Sequence, residues 1–492
     1  MTSVRQEPAA SKAMHPWLHP VRMAFVPGPM TPLLEEVAGG LLRVARQLGH
    51  EVQTTPDDDT DLILTTAPFG QALSWRESLL LTSRRRFGLK RTPAVHTLTD
   101  VRPAEFQRLM DHFETVLPKE PPDPADYDFP GLAPQAYQVL IEQGRRGGPI
   151  LALQRLVQAQ IKCIRTIVVI GNEHPHAAYH FDLVGAYPRS EGVDLPAFYE
   201  DILLRIVTAV CTDEVTEHQV VGDPVARGAW QRLSTPAGMR GAGQELGRRH
   251  FFTKTVRIAD LVHVPAVGDA VAEQYSEGCF STWDPALGAL VTTVTGSARP
   301  VDKSNITDDE LAVIVGVRAD GKGALVRHVE GLENSPPSSE ALEMIDMDRP
   351  LPTVTLEAGW DVPAEVPVAR SKLHGHRGIS AYDPERVEFV PLEPRYYHYI
   401  VSCATGAQAR GIRDAFATAQ ALQNPQDPRQ VVFTVLPGHG TMIVEKWVAG
   451  KVPFQVIWEY MDAGYLHVAS QIPQGAMAYL SSPHGNMVLG AV

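Results

Sequence analysis

The chain is short of cysteine, of clustered basic residues and of long apolar runs, and each shortage excludes a class of function. Its four cysteines, Cys163, Cys211, Cys279 and Cys403, stand far apart with no CxxC or other knuckle spacing, which excludes zinc-ribbon chemistry. Their neighbours are apolar or small, so they read as reduced thiols of a cytoplasmic protein's interior rather than as disulfides. The longest basic run is Arg84, Arg85 and Arg86, inside a helix-like stretch where a solvated face is the simplest reading. With 44 basic against 57 acidic residues and a net charge of −13, the chain lacks the basic stripe on which nucleic-acid binding depends. No apolar run approaches 18 residues, and the first twenty have no signal-peptide core, so neither membrane span nor secretion is expected. No GxGxxG or Walker loop is present, so a nucleotide cofactor is not supported.

What is there is the composition of a soluble folded protein, 44% hydrophobic and 21% charged over 492 residues. At about 150 residues per domain that length implies roughly three units. After a disordered tail over 1–20, RMAFVPGP reads as a strand and turn. The helix that follows starts at Thr31, Pro32 and Glu35 and stops at Gly49. EVQTT, DLILTTAPFG and TPAVHTL are further strands, alternating with helical stretches. Such alternation predicts a parallel sheet covered on both faces, with ligands at the carboxyl ends of strands: 27–29, 65–70 and 96–100. A Pro-rich segment, 117–133, reads as a linker or covering loop. TIVVIGN is taken to open a second alternating unit, continued by the helix VDLPAFYEDILLRIVTAV. From DDELAVIVGVRADGKGALVRHVEG the period changes to two around an Asp-Gly turn, which marks a hairpin. Residues 331–369 read as a long surface excursion, and the last forty residues as strands and turns without a helix. The expected architecture is therefore α/β: two Rossmann-like parallel-sheet units, 21–165 and 166–305, then a strand-rich, barrel-like α+β region over 306–492.

Three clusters hold residues suited to chemistry. The exit loop NEHPHAAYHFD carries Glu173, His174, His176, His180 and Asp182, a group that suits substrate or metal, or simply faces solvent. RSKLHGHRGISAYD places His374 and His376 beside Arg377, and an HxH on a strand puts both imidazoles on one face. The alternative there is a hydrogen-bonded loop. His439 sits in a Gly-His-Gly turn. The stretch GCFSTWDPALGALVTTVTGSARPVDK sets Asp284 at the head of an uncharged run. There it is either a carboxylate held still for chemistry or the cap of a helix starting at Pro285.

The order of the chain, and the local run WDPALGALVTTVTG, resemble the L-fucose and L-arabinose isomerase superfamily, whose members join Rossmann-like domains to a C-terminal barrel. In that family an acidic metal ligand precedes a Gly-Ala-Leu helix and a Thr-Gly turn, so the resemblance makes Asp284 a metal ligand and catalytic residue. Glu277 or Glu273 would be its carboxylate partner. It makes His374, His376 and His439 candidates for the C-terminal histidine, with His374 and His376 as metal ligands and His174, His176, Arg377 and His439 around the substrate. The implied activity is aldose–ketose interconversion of a small sugar on a manganese or magnesium ion, in a symmetric homo-oligomer. Two other classes stand beside it: a metal-dependent hydrolase or lyase using the same histidines, and a non-catalytic ligand-binding or assembly protein on the same scaffold.

Overall fold

The computed structural model describes residues 18–72, 84–90, 93–116, 164–171, 176–181, 186–189, 194–212, 216–249, 251–252, 278–294, 303–332, 336–356, 365–375, 379–393, 404–436 and 440–468. The first helix, α1 (Pro32–Gln47), forms for the local reasons its sequence carries. Thr31 is extended and accepts the Leu34 N–H at 3.2 Å, and Pro32 at the first turn gives up an N–H that would be unpartnered anyway. Leu34, Val37, Ala38, Leu41, Val44 and Ala45 recur at helical spacing and are buried. Gly49, at φ 87, turns the chain into β2.

The first sheet has seven strands in the order β2-β1-β3-β4-β5-β6-β7. β1 (Arg22–Val26), β2 (Glu51–Gln53), β3 (Leu62–Thr66), β4 (Ala94–Val101) and β5 (Ile164–Ile170) are all parallel. β6 (Ala177–Phe181) and β7 (Ala186–Arg189) extend the sheet antiparallel. After α2 (Pro103–Val116), the long helix α3 (Leu195–Thr212) returns over one face. There Phe198, Ile202, Leu203 and Ile206 share a core with Leu41 and Val37 of α1 and with Leu64, Leu98 and Ile167 of the sheet. The strand expected to open a second unit thus completes the first, because Ile164–Ile170 pairs along β4 from Val95 to Val101.

The second sheet has nine strands in the order β17-β18-β19-β15-β9-β10-β11-β12-β8. Its middle is a run of antiparallel pairs: β18 (Val431–Leu436), β19 (Gly440–Lys446), β15 (Ala369–Gly375), β9 (Cys279–Asp284), β10 (Ala289–Thr293), β11 (Leu311–Val317) and β12 (Ala324–Arg327). β17 (Val387–Phe389) and β8 (Gln219–Val220) join its edges in parallel. One face packs on α4 (Ser234–Arg248) and α7 (Gln455–Asp462) through Met239, Leu246, Val456 and Ile457. The other packs on α5 (Ala341–Asp346) and α6 (Gly406–Ala417) through Met344, Ile345, Ile412 and Phe416. The chain is mixed α/β with helices on both faces of this sheet. The β11–β12 hairpin turns at Asp320-Gly321 as its sequence predicts, with Gly321 at φ 69.

Three local expectations are corrected. The uncharged run after Asp284 is a strand, since its Ala-Leu-Val-Thr-Thr content favours a pleated sheet once Gly288, at φ 56, has closed a four-residue turn. The segment 331–369 is not all surface: every residue of α5 is buried. The C-terminal part does contain a helix, α7, whose Val456, Ile457 and Tyr460 are buried on one side. No helix among the described residues is long and apolar enough to cross a membrane.

Candidate functional site

Asp284 lies at the end of β9 and is 3% exposed. Its Oδ1 accepts the Leu287 N–H at 2.9 Å, and Gly288 donates to the Pro285 carbonyl at 3.3 Å. The carboxylate therefore braces the hairpin turn, as Asp does when it bonds the backbone a few residues ahead. His374 is on the neighbouring strand β15, but its register partner on β9 is Cys279, five residues from Asp284. At about 3.3 Å per residue the two are roughly 16 Å apart, beyond the reach of one ion. The ligand pair implied by the family resemblance is not assembled, and the divalent ion does not fit these two residues. Among the described residues no group of three or more His, Cys, Asp or Glu side chains is placed to hold a metal. Glu273, Glu277, His376, Arg377 and His439 lie outside the described residues, as do Glu173, His174 and Asp182.

What His374 does meet is a buried chain of polar side chains. Its Nδ1 is 2.9 Å from the Thr441 carbonyl, and its Nε2 is 3.2 Å from Oε1 of Glu340. The second oxygen of Glu340 accepts from the Cys279 thiol at 3.1 Å. Because a carbonyl only accepts, Nδ1 carries a hydrogen. Nε2 and the carboxylate then face one another as two acceptors unless a proton sits between them. Burial, followed by the charge of Glu340, pushes the Cys279 thiol well above its ordinary range. Glu340 immediately precedes α5, and Glu343, one turn on, is fully buried and accepts the Ala404 N–H at 3.2 Å. Burial, then the Glu340 charge, raises the Glu343 carboxyl well above the usual range.

Two residues along β15, on the same face, Lys372 is buried against Asp348 and donates to the Met344 carbonyl at 2.7 Å. Burial pushes Asp348 up to about 6 against the opposing pull of Lys372, and lowers Lys372 itself. Five ionisable side chains, Glu340, Glu343, Asp348, Lys372 and His374, thus lie in the layer between the nine-stranded sheet and α5. Of these only His374 stood out in the sequence. A signal for Glu340 and Glu343 exists in Ser338-Ser339-Glu340-Ala341-Leu342-Glu343, where two serines precede acids at helical spacing. The prolines ahead of it masked that signal.

In the first sheet His176 and His180 of the expected exit loop are set apart, because Ala177–Phe181 is a strand. His176, at its start, faces Glu36 of α1 at 3.5 Å, and Tyr199 of α3 donates to the same carboxylate at 3.3 Å. His180 lies near the strand's other end with its ring 5.3 Å from that of His96. At the carboxyl edge Gly28 sits so close to β3 that a Cβ would come within 2.1 Å of the Thr66 carbonyl oxygen, and its N–H is donated to Thr66 Oγ1 at 2.9 Å. Thr31 donates to Asp100 at 2.5 Å, tying β4 to α1. The loops expected to hold a ligand are here used to close the edge.

No protein-family model, curated protein or solved structure matches the chain.

Proposed function

We propose that the protein moves protons between neighbouring carbons of a small sugar-like substrate, an aldose–ketose interconversion, with the Cys279–Glu340–His374 chain as its acid–base group. The observation that carries this reading is the geometry at His374, whose Nδ1 lies 2.9 Å from the Thr441 carbonyl and whose Nε2 lies 3.2 Å from Oε1 of Glu340. Such a pair can take a proton from a hydroxyl-bearing carbon and return it to the adjacent carbon through an enediol. The C–H bond of the hydroxyl-bearing carbon breaks as an N–H or O–H forms on the pair and the carbonyl oxygen is protonated, giving the enediol. The neighbouring enediol hydroxyl then loses its proton, replacing the one given to the carbonyl oxygen, as the pair returns its proton to the adjacent carbon and the new C–H forms. The substrate class rests on the resemblance of WDPALGALVTTVTG. A divalent ion belongs to the proposal only through ligands other than the Asp284–His374 pair, and metal analysis of the purified protein addresses it.

Full burial of His374 and Cys279 favours a second reading, a non-catalytic protein in which the chain is only a polar network of the core. Product analysis with a panel of aldoses separates the two. The first expects ketose formation, and a Glu340→Gln variant slower by about 10²–10⁴ with its fold retained. Absence of turnover by the native protein on every aldose leaves the second.

A further inference from the structure

The buried face of the first sheet holds a second group of polar side chains that the proposed reaction does not use. His96 on β4 is in register with Arg165 on β5, and Ile167, two residues on, is in register with His180 on β6. Side chains in register or two apart share a face, so His96, Arg165 and His180 all lie beneath α3, from which Arg205 comes down. Exposure is 0% for His96, 3% for Arg165, 1% for His180 and 4% for Arg205. Arg165, His180 and Arg205 each make further interactions. His96 is different: among the described residues neither ring nitrogen has a hydrogen-bond partner. Burial, then the charges of Arg165 and Arg205, hold this imidazole well below its ordinary range. It is therefore neutral, with one N–H to donate and one lone pair to offer. A buried donor left without an acceptor destabilises the fold, and the guanidinium groups beside it favour an acceptor that carries negative charge.

We propose that this group is a binding site for a small oxyanion, a carboxylate or phosphate, with the ring N–H of His96 donated to it and Arg165 and Arg205 supplying the charge. The class follows from the planar fork of guanidinium, which matches the paired oxygens of carboxylate and phosphate and gives a spherical ion no such fit. The site is independent of the Cys279–Glu340–His374 chain. Ligand that binds the folded state alone raises the unfolding midpoint from concentrations near its dissociation constant upward, in proportion to the logarithm of its concentration, and at matched ionic strength a general salt effect is common to the chloride control.

The test is unfolding of the full chain in rising inorganic phosphate, acetate or chloride at matched ionic strength, for the native protein and for His96→Leu. The expected result is a rise with phosphate or acetate, whichever group fits, that exceeds the chloride control and grows with the logarithm of concentration. In His96→Leu the concentration needed for the same rise should increase by about tenfold or more. No rise with either oxyanion above that in chloride, or an unchanged concentration dependence in the variant, would each overturn it. Should His96→Leu fail to fold, Arg205→Lys keeps the charge but loses the fork, and the same criterion applies to it.

Discussion

Glu445 gives the sharpest test of how the second sheet is held together. It lies in the middle of the protein on β19, yet its carboxylate caps α7 from a distance. Ile457 donates its N–H to Oε2 at 3.4 Å, Phe454 donates to Oε1, and the Ser371 hydroxyl donates to Oε1 at 2.6 Å. Phe454, the residue before the helix, is held at φ 66, a conformation a phenylalanine adopts only under constraint. Burial, opposed by Ser371, the Phe454 N–H and Arg370, pushes the carboxyl up from 4.5 to about 7. A group that keeps its proton longer in the folded than in the unfolded chain contributes stability below its unfolded value. That contribution is lost as pH rises through the folded value. The window therefore runs from about 4.5 to about 7. At about 1.4 kcal/mol per pH unit the loss across it is about 3 kcal/mol.

The perturbation is Glu445→Gln. Glutamine keeps the acceptor for Ser371 and Phe454 but turns an amide toward the Ile457 N–H, a fixed cost of about 1 kcal/mol that does not vary with pH. Every other titrating group is common to both proteins and cancels in the difference. Urea unfolding at pH 5, 6, 7 and 8 should therefore show the variant gaining on the native protein as pH rises, by about 2.5 kcal/mol in all. Curves that stay parallel across this range would show that the carboxylate is ionised in the fold throughout, and the reasoning fails.

Two further outcomes follow from the same sheet. Asp284→Asn should melt within a degree or two of the native protein, because asparagine accepts the Leu287 N–H as well, whereas Asp284→Ala should lose about 1 kcal/mol. Equal losses in both variants would mean that the charge itself matters there. Lys372→Met alone leaves Asp348 buried and unpaired and should cost about 3–5 kcal/mol, most of it recovered in the Lys372→Met, Asp348→Leu double variant. A double variant no more stable than the single one would show that the pair is needed for more than mutual neutralisation.

What the residues reveal depends on how far apart the partners are along the chain. Thr31, Pro32 and Gly49 mark α1 because capping is local. The β11–β12 hairpin is legible because Asp320-Gly321 separates two alternating runs. WDPALG misleads for an equally local reason. Asp before Pro serves a helix start and a four-residue turn alike, and the turn wins because Gly288 reaches φ 56 while the β-branched run beyond it pairs with β9 and β11. Strand identity can be read from such runs, but strand neighbours cannot. β15 enters the sheet between β9 and β19, and nothing in RSKLHGH announces either partner.

The same limit explains why the Cys279–Glu340–His374 chain is not legible in the sequence. His374, Glu340 and Cys279 belong to β15, to the residue preceding α5, and to β9. His374 meets Cys279 through strand register, and both meet Glu340 only because α5 packs on that face through Met344 and Ile345. A single histidine at His374 carries no mark of which carboxylate it will face. In the structure Asp284, the acid favoured by local pattern, is placed at the far end of the strand by register alone. Glu340 is placed beside the imidazole by a packing contact that pairs a Pro- and Ser-rich segment with the centre of the sheet. The residues that face His374 are thus those contributed by tertiary packing, and their identity follows from the order of strands rather than from any motif.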